Sequence, residues 1–176
     1  IDNKELGGLE AVWTIDASYK CAIASAFKDA AGIVAESWLV SPIIDMTSIL
    51  STDDINLSFT QMSQKQGDAN EYMLKIKNVS DNGAWENLTF EQPEAGFKAM
   101  LVNIKLQVYA GKKIQLAFVY KNAKTDSAPK WEIQNVKIGV TPGVPGGTED
   151  DPLTCAEVIA LNNTAAGPYY VKGYII

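Results

Sequence analysis

The sequence contains neither histidine nor arginine. Without imidazole there is no Ser-His-acid or Cys-His nucleophile, no His-ligated zinc and no proton shuttle that titrates unaided near neutrality. Without guanidinium there is no bidentate fork for guanine edges, phosphates or carboxylates. All fifteen basic residues are lysines, scattered as in Lys75 and Lys77 or Lys112 and Lys113, and the net charge is −6. A nucleic-acid partner is therefore not expected, because phosphate binding draws on clustered cations. Cysteine is scarce: Cys21 and Cys155 have apolar neighbours and lie in different predicted domains, so two buried free thiols are expected rather than a disulfide. No apolar run approaches the roughly 18 residues of a transmembrane helix, and no basic-then-apolar leader precedes Ile1. The start at Ile1 reads as a cut in a longer protein, with any leader or anchor outside this chain. Cys-x-x-Cys, a phosphate-binding loop and Gly-x-Gly-x-x-Gly are also missing, so no nucleotide or redox cofactor is expected.

What is present is an ordinary globular balance, 47% apolar and 20% charged over 176 residues. That length allows one sandwich of about 140 residues and a remainder. Alternation with a period of two, the mark of strands with one buried face, dominates residues 1–140. Ala11 to Ile15 reads as a first short strand. Tyr19 to Phe27 follows, with Ala22, Ala24 and Ala26 on a closely packed side. Trp38-Leu39-Val40-Ser41-Pro42 is a strand ended by proline, which lacks a ladder donor. Ile55, Leu57 and Phe59, then Tyr72, Leu74 and Ile76, mark two half-buried strands.

Asn82-Gly83 is a hairpin signal because both residues tolerate positive φ, and it leads into Trp85 to Leu88. Met100, Val102, Ile104 and Leu106 alternate, as do Ile114, Leu116, Phe118 and Tyr120 across the Ala110-Gly111 turn. These two strands are expected to pair with each other at the centre of the sheet. In Lys130 to Val140 the apolar parity changes between Ile133 and Val136, which predicts a bulge near Gln134-Asn135. The alternative is a strand that begins only at Asn135.

The expected fold class is all-β, an antiparallel jelly-roll sandwich over residues 1–140. Residues 141–152, TPGVPGGTEDDP, read as a linker. Residues 153–176 read as the truncated start of a second domain: Thr154-x-x-Glu157 as a capping box opens a short helix over Cys155 to Leu161, and Tyr169 to Ile176 form a strand with no hairpin partner.

Carboxylates alone can serve a glycoside hydrolase when two are held about 5–10 Å apart. Asp53 with Asp54, Asp68 with Glu71, and Glu91 with Glu94 all fall in turn-like stretches where solvation is the ordinary role. Glu132, inside a strand, is aimed away from Trp131 and Ile133. No metal is expected. Calcium is the one ion that loop oxygens alone would satisfy, from Asp2, Asp53, Asp54 and Asp68 in a discontinuous site, and no stretch matches the Asp-x-Asp-x-Asp-Gly loop.

Exposed Trp and Tyr rings can stack on the apolar faces of sugars. Trp38 and Trp131 sit in strong strands and are expected in the core. Trp13 is ambiguous, while Trp85 beside Asn-Gly and Tyr109 beside Ala-Gly are the better candidate ligand platforms; their competing role is packing against a turn.

Several segments carry a family resemblance: Glu36-Ser37-Trp38-Leu39-Val40-Ser41-Pro42-Ile43-Ile44-Asp45, Leu57-Ser58-Phe59, Tyr109-Ala110-Gly111-Lys112-Lys113-Ile114-Gln115-Leu116-Ala117-Phe118 and Trp131-Glu132-Ile133-Gln134-Asn135-Val136-Lys137-Ile138. In this order they resemble the choice-of-anchor J and cleaved-adhesin type of jelly roll over residues 1–140, which implies a sandwich of the galactose-binding or MAM-like kind. The resemblance implies a module of a bacterial cell-surface, outer-membrane or secreted protein, often a lipoprotein or adhesin, that binds carbohydrate or a host or partner protein. That family often has Asp where this chain has Gln134, and some members hold structural calcium, so the departure argues against the ion. Pro152 to Leu161 with Tyr170 to Ile176 is similar to the opening of OB-like domains that follow such modules. The expected function is non-catalytic binding; the alternatives are a carboxylate-only glycan-active enzyme and a structural spacer.

Overall fold

The structure, a computed structural model, describes residues 1–141, 153–154 and 171–172. The strands are β1 Asp2–Glu5, β2 Trp13–Asp16, β3 Cys21–Ala24, β4 Phe27–Lys28, β5 Ala31–Gly32, β6 Ala35–Val40, β7 Ile44–Asp45 and β8 Asp54–Ser63. They continue as β9 Tyr72–Asn78, β10 Trp85–Leu88, β11 Met100–Lys105, β12 Lys113–Asn122, β13 Trp131–Thr141, β14 Leu153–Thr154 and β15 Val171–Lys172.

Two antiparallel sheets make the sandwich. The first runs β1-β6-β12-β9-β10, with β7 also on β12, and the second runs β11-β8-β13-β3-β2. The alternation that predicted strands is the alternation that seals the core. Along β8, Ile55, Leu57 and Phe59 are buried while Asn56, Ser58 and Thr60 between them are half-buried on the outer face. Along β9, Tyr72, Leu74 and Ile76 do the same from the opposite sheet.

At the middle of the core lies a block of rings. Trp131 is stacked on Tyr72 with centroids 4.9 Å apart, lies near-parallel to Phe90 at 6.3 Å, and meets Phe118 edge-on at 6.0 Å. Its indole N–H donates to the Gln61 side-chain oxygen at 3.1 Å, and Gln61 donates in turn to the Glu91 carbonyl at 2.7 Å. The buried amide is thus satisfied on both sides, which is what allows a polar group in this position. Tyr72 and Tyr120 both donate to the Pro129 carbonyl, at 3.2 and 3.0 Å. Burial holds the Tyr72 hydroxyl up at about 12.

The predicted hairpin forms, with Trp85 opposite Lys77 and Asn82 at φ +50°. The predicted bulge forms as well: the β13 register on β8 shifts between Gln134 and Lys137, with Asn135 at φ +57°, and the strand runs unbroken from Trp131. The extra residue returns Ile138 to the core, while Val136 remains 49% exposed.

Three expectations need correction. β11 and β12 do not pair: β11 joins β8 in the second sheet, and β12 lies between β6 and β9 in the first. The connection is an arch between layers, because Leu106 is buried and a 3₁₀ turn at Gln107–Tyr109 redirects the chain before Gly111. Trp38 is not in the core, since Ser37 and Leu39 take the inward positions of β6 and leave Trp38 half-buried outside. A first strand, β1, precedes the one expected, and its uniformly exposed residues gave no alternation to detect. At the far end Thr154 lies in β14, which pairs parallel with β15, and extended backbone is what a helix N-cap has, so the expected capping role is untouched. The strand at the end thus has a partner, though not a hairpin one. The expected helix at 155–161 lies outside the described residues, as do Cys155 and the linker beyond Thr141.

Candidate functional site

The outer face of the second sheet carries a cleft of about 500 Å³ lined by Tyr19, Met62, Phe97, Glu132 and Gln134. Its floor follows from strand parity. Trp131 and Ile133 point inward, so Glu132 and Gln134 point out, and Glu132 stands opposite Met62 in the β13–β8 register. Its walls come from loops on opposite sides of those two strands. Tyr19, 72% exposed, is on the β2–β3 turn; Phe97, 41% exposed, is on the segment before β11.

Both aromatic side chains are held by local chemistry. The Asp16 carboxylate accepts from the backbone N–H groups of Ser18 at 2.9 Å and Tyr19 at 3.0 Å, an Asx turn that fixes the Tyr19 backbone. Phe97 has φ +56°, a left-handed conformation that a bulky residue adopts only when its surroundings impose it. The imposing contacts are Phe97 N–H to the Ser63 carbonyl at 2.7 Å and Gly96 N–H to the Gln64 carbonyl at 3.2 Å. The left-handed backbone thus holds a phenyl ring that stays 41% exposed at the cleft rim.

Burial in the floor pushes the Glu132 carboxyl up from 4.5; Lys130 opposes the shift and Asp16 reinforces it. The neighbouring Cys21 is free and buried, and burial pushes its thiol up too, followed by the charges of Glu132 and Asp16. It is therefore an inert thiol rather than a nucleophile. If ionised Glu132 accepts hydrogen bonds from a ligand, acidification weakens binding at a pH above the ordinary glutamate value, because the folded group takes its proton early. Titration calorimetry from about pH 7 down to about pH 4 is expected to show that loss, and Glu132→Gln to flatten it.

The three platforms expected from sequence are not brought together. Trp13 is 2% exposed, sits 5.8 Å from Trp131 and donates its indole N–H to the Ser37 carbonyl at 3.1 Å. It is a core residue and offers no ligand face. Tyr109 ends the 3₁₀ turn half-buried against the core, its hydroxyl raised by burial and by Glu86, which is the turn-packing role. Trp85 is half-buried on the outer face of the first sheet, in edge contact with Trp38 at 5.6 Å. The signal that nominated Trp85 and Tyr109, an aromatic beside a turn, applies equally to Tyr19 after Asp16-Ala17-Ser18 and to Phe97 after Gly96.

The acids considered for catalysis or calcium are dispersed. Asp2 pairs with Lys4, Asp54 with Lys105, and Glu94 with Lys98, while Asp53 and Asp68 accept from the backbone N–H groups of Leu50 and Asn70. Among the described residues no group of three or more His, Cys, Asp or Glu is placed to hold a metal ion, and no helix is long and apolar enough to cross a membrane. A second concavity, about 480 Å³ at the side of the sandwich, is lined chiefly by Leu39, Ile44, Leu116, Phe118, Val136 and Ile138 and has few groups to orient a polar ligand.

No family model matches the sequence, and no curated protein matches it significantly. Among solved structures, the chain is similar to a family 4 carbohydrate-binding module at 13% identity and TM-score 0.42, over 72% of this chain and 87% of that one. A cleaved adhesin domain of Lys-gingipain from Porphyromonas gingivalis matches at 16% identity and TM-score 0.38, over 80% of this chain and 98% of that one. The family 11 carbohydrate-binding module of a cellulosomal cellulase of Clostridium thermocellum matches at 16% and TM-score 0.39, over 78% and 94%. These likenesses are distant and partial and concern the jelly-roll architecture.

Proposed function

We propose that the chain is a non-catalytic glycan-binding module of a surface-exposed or secreted bacterial protein, with the cleft between Tyr19 and Phe97 as its ligand site. The observation that carries this reading is the pairing of two exposed aromatic walls with a polar floor. Aromatic faces take the apolar faces of pyranose rings, and Glu132 and Gln134 supply the few directional polar groups that orient a ligand. The cleft volume lies within the range of about 300–1,000 Å³ common to small-ligand sites. Among the described residues Glu132 is the only acid lining the cleft, whereas glycoside hydrolysis by carboxylates requires two. Asp16, the acid that raises Glu132, uses its Oδ1 to hold the Tyr19 turn. In this reading residues 1–140 are the binding domain, 141–152 tether it, and 153–176 open a following domain, as the choice-of-anchor J resemblance implies.

The test is calorimetric titration of the chain with neutral hexasaccharides of β-1,4-linked glucose, xylose and mannose, and with mucin-type glycans. Saturable heat with at least one of them, lost on changing the cleft, is the expected result. Absence of heat with all of them, in a folded protein, rejects the reading in favour of a protein partner or a spacer role.

A further inference from the structure

The outer face of the first sheet carries a second arrangement that does not rest on the cleft. Trp38 on β6 lies opposite Val119 of β12, and Trp85 on β10 lies opposite Lys77 of β9, which lies opposite Gln115 of β12. The two indoles therefore start from different strands of the face and meet edge to face, their centroids 5.6 Å apart. Trp38 is committed to the protein: its N–H donates to the Glu36 carboxylate at 2.9 Å, and the ammonium groups of Lys4 and Lys75 each lie 5.6 Å from its ring. Among the described residues the Trp85 N–H has no hydrogen-bond partner and no lysine lies over its ring, so it is the ring of the pair left to meet a ligand.

The charges around it are unbalanced. Lys4 is paired with Asp2 at 2.7 Å and Lys121 with Glu36 at 3.2 Å. Lys75 is bonded to a neutral group, the Asn87 side-chain oxygen, at 2.6 Å, and Lys77, directly across from Trp85, makes no ion pair among the described residues. Glu36, whose carboxyl is lowered first by the Trp38 N–H, then by Lys121 and Lys75, is already neutralised by its own lysine. In a chain of net charge −6, two lysines that make no ion pair among the described residues stand two positions apart on β9, one of them directly opposite an indole.

We propose that this face binds an anionic glycan, with a sugar ring against Trp85 and its acid group at Lys75 and Lys77. The module would then hold two glycan sites, one on each sheet, that differ in charge preference. The experiment titrates the full chain at low salt with a hexagalacturonate, with a sulfated heparin-type hexasaccharide and with a neutral cellohexaose. Lys75→Gln with Lys77→Gln is expected to lower affinity for one or both anionic chains by roughly tenfold or more and to flatten its salt dependence, since charge-assisted bonds are lost. Trp85→Ala is expected to lower it as well, and the lysine variant decides the matter alone should the tryptophan variant fail to fold. The response to carboxylate against sulfate identifies the acid group. Tyr19→Ala with Phe97→Ala is expected to leave anionic binding intact, so this proposal and the cleft reading fail separately. No binding of either anionic chain, or binding that the lysine variant leaves unchanged, overturns it.

Discussion

Replacing Trp131 by alanine is expected to remove roughly 3–5 kcal/mol of folding stability, the usual cost of emptying a fully buried indole site. Domains of this size are stable by only about 5–15 kcal/mol, so the variant would stand close to unfolding. The loss has two separable parts. The first is packing, because Trp131 is 0% exposed and Tyr72, Phe90, Phe118 and Trp13 all lie against it. The second is polar, because removing the indole N–H deprives the buried Gln61 oxygen of its donor. Trp131→Phe retains most of the first and loses the second, and is expected to cost about 1–3 kcal/mol. Urea unfolding followed by far-ultraviolet circular dichroism separates them. An alanine variant within about 1 kcal/mol of wild type would mean that the core does not centre on this ring.

Replacing Tyr19 and Phe97 together by alanine is expected to lower glycan affinity by about a hundredfold or more, since single aromatic anchors in binding sites are commonly worth about 2 kcal/mol. Folding stability should change little, because both rings are exposed. A third variant sharpens the test. Phe97→Gly removes the ring and also relieves the left-handed backbone, so it is expected to fold at least as stably as Phe97→Ala while binding no better. Thermal unfolding and calorimetry on the same samples read both quantities. Full affinity in the double variant would remove the cleft from consideration.

The parts of this molecule that were legible in the sequence are those set by local physics. Alternation in Ile55-Leu57-Phe59 or Tyr72-Leu74-Ile76 reports a buried face wherever the strand pairs, and Asn82-Gly83 reports a turn that only a few residues can make. The broken parity between Ile133 and Val136 required an extra residue, and Asn135, which tolerates positive φ, supplies it. The strand partners were not legible in the same way. Met100 to Leu106 and Ile114 to Tyr120 read as a hairpin, and nothing in their spacing says that Leu106 closes the core from one layer before the chain crosses to the other.

The site was legible only as a class of residue. An aromatic beside a turn describes Tyr19, Trp85, Phe97 and Tyr109 alike. Which of them faces water depends on whether the next layer covers the turn: Tyr109 is packed on the core and Tyr19 is not. Glu132 was placed correctly on the outer face by its neighbours Trp131 and Ile133, but its companions in the cleft come from segments far away in sequence, Met62 and Phe97.

The position of β13 bears on how the chain acquires this structure. It is inserted between β8 and β3, and it brings Trp131 with it. During synthesis the hairpin of β2 and β3 emerges early but has nothing to attach it to β8 until more than a hundred further residues have left the ribosome. The second sheet therefore closes late, as a keystone closes an arch, and shortened chains ending before Trp131 would leave Tyr72, Phe90 and Phe118 without the ring they pack on. Such non-local closure is slow to nucleate. Substitutions at the β13–β8 seam are therefore expected to slow refolding more than substitutions in the β2–β3 hairpin, as stopped-flow fluorescence would read.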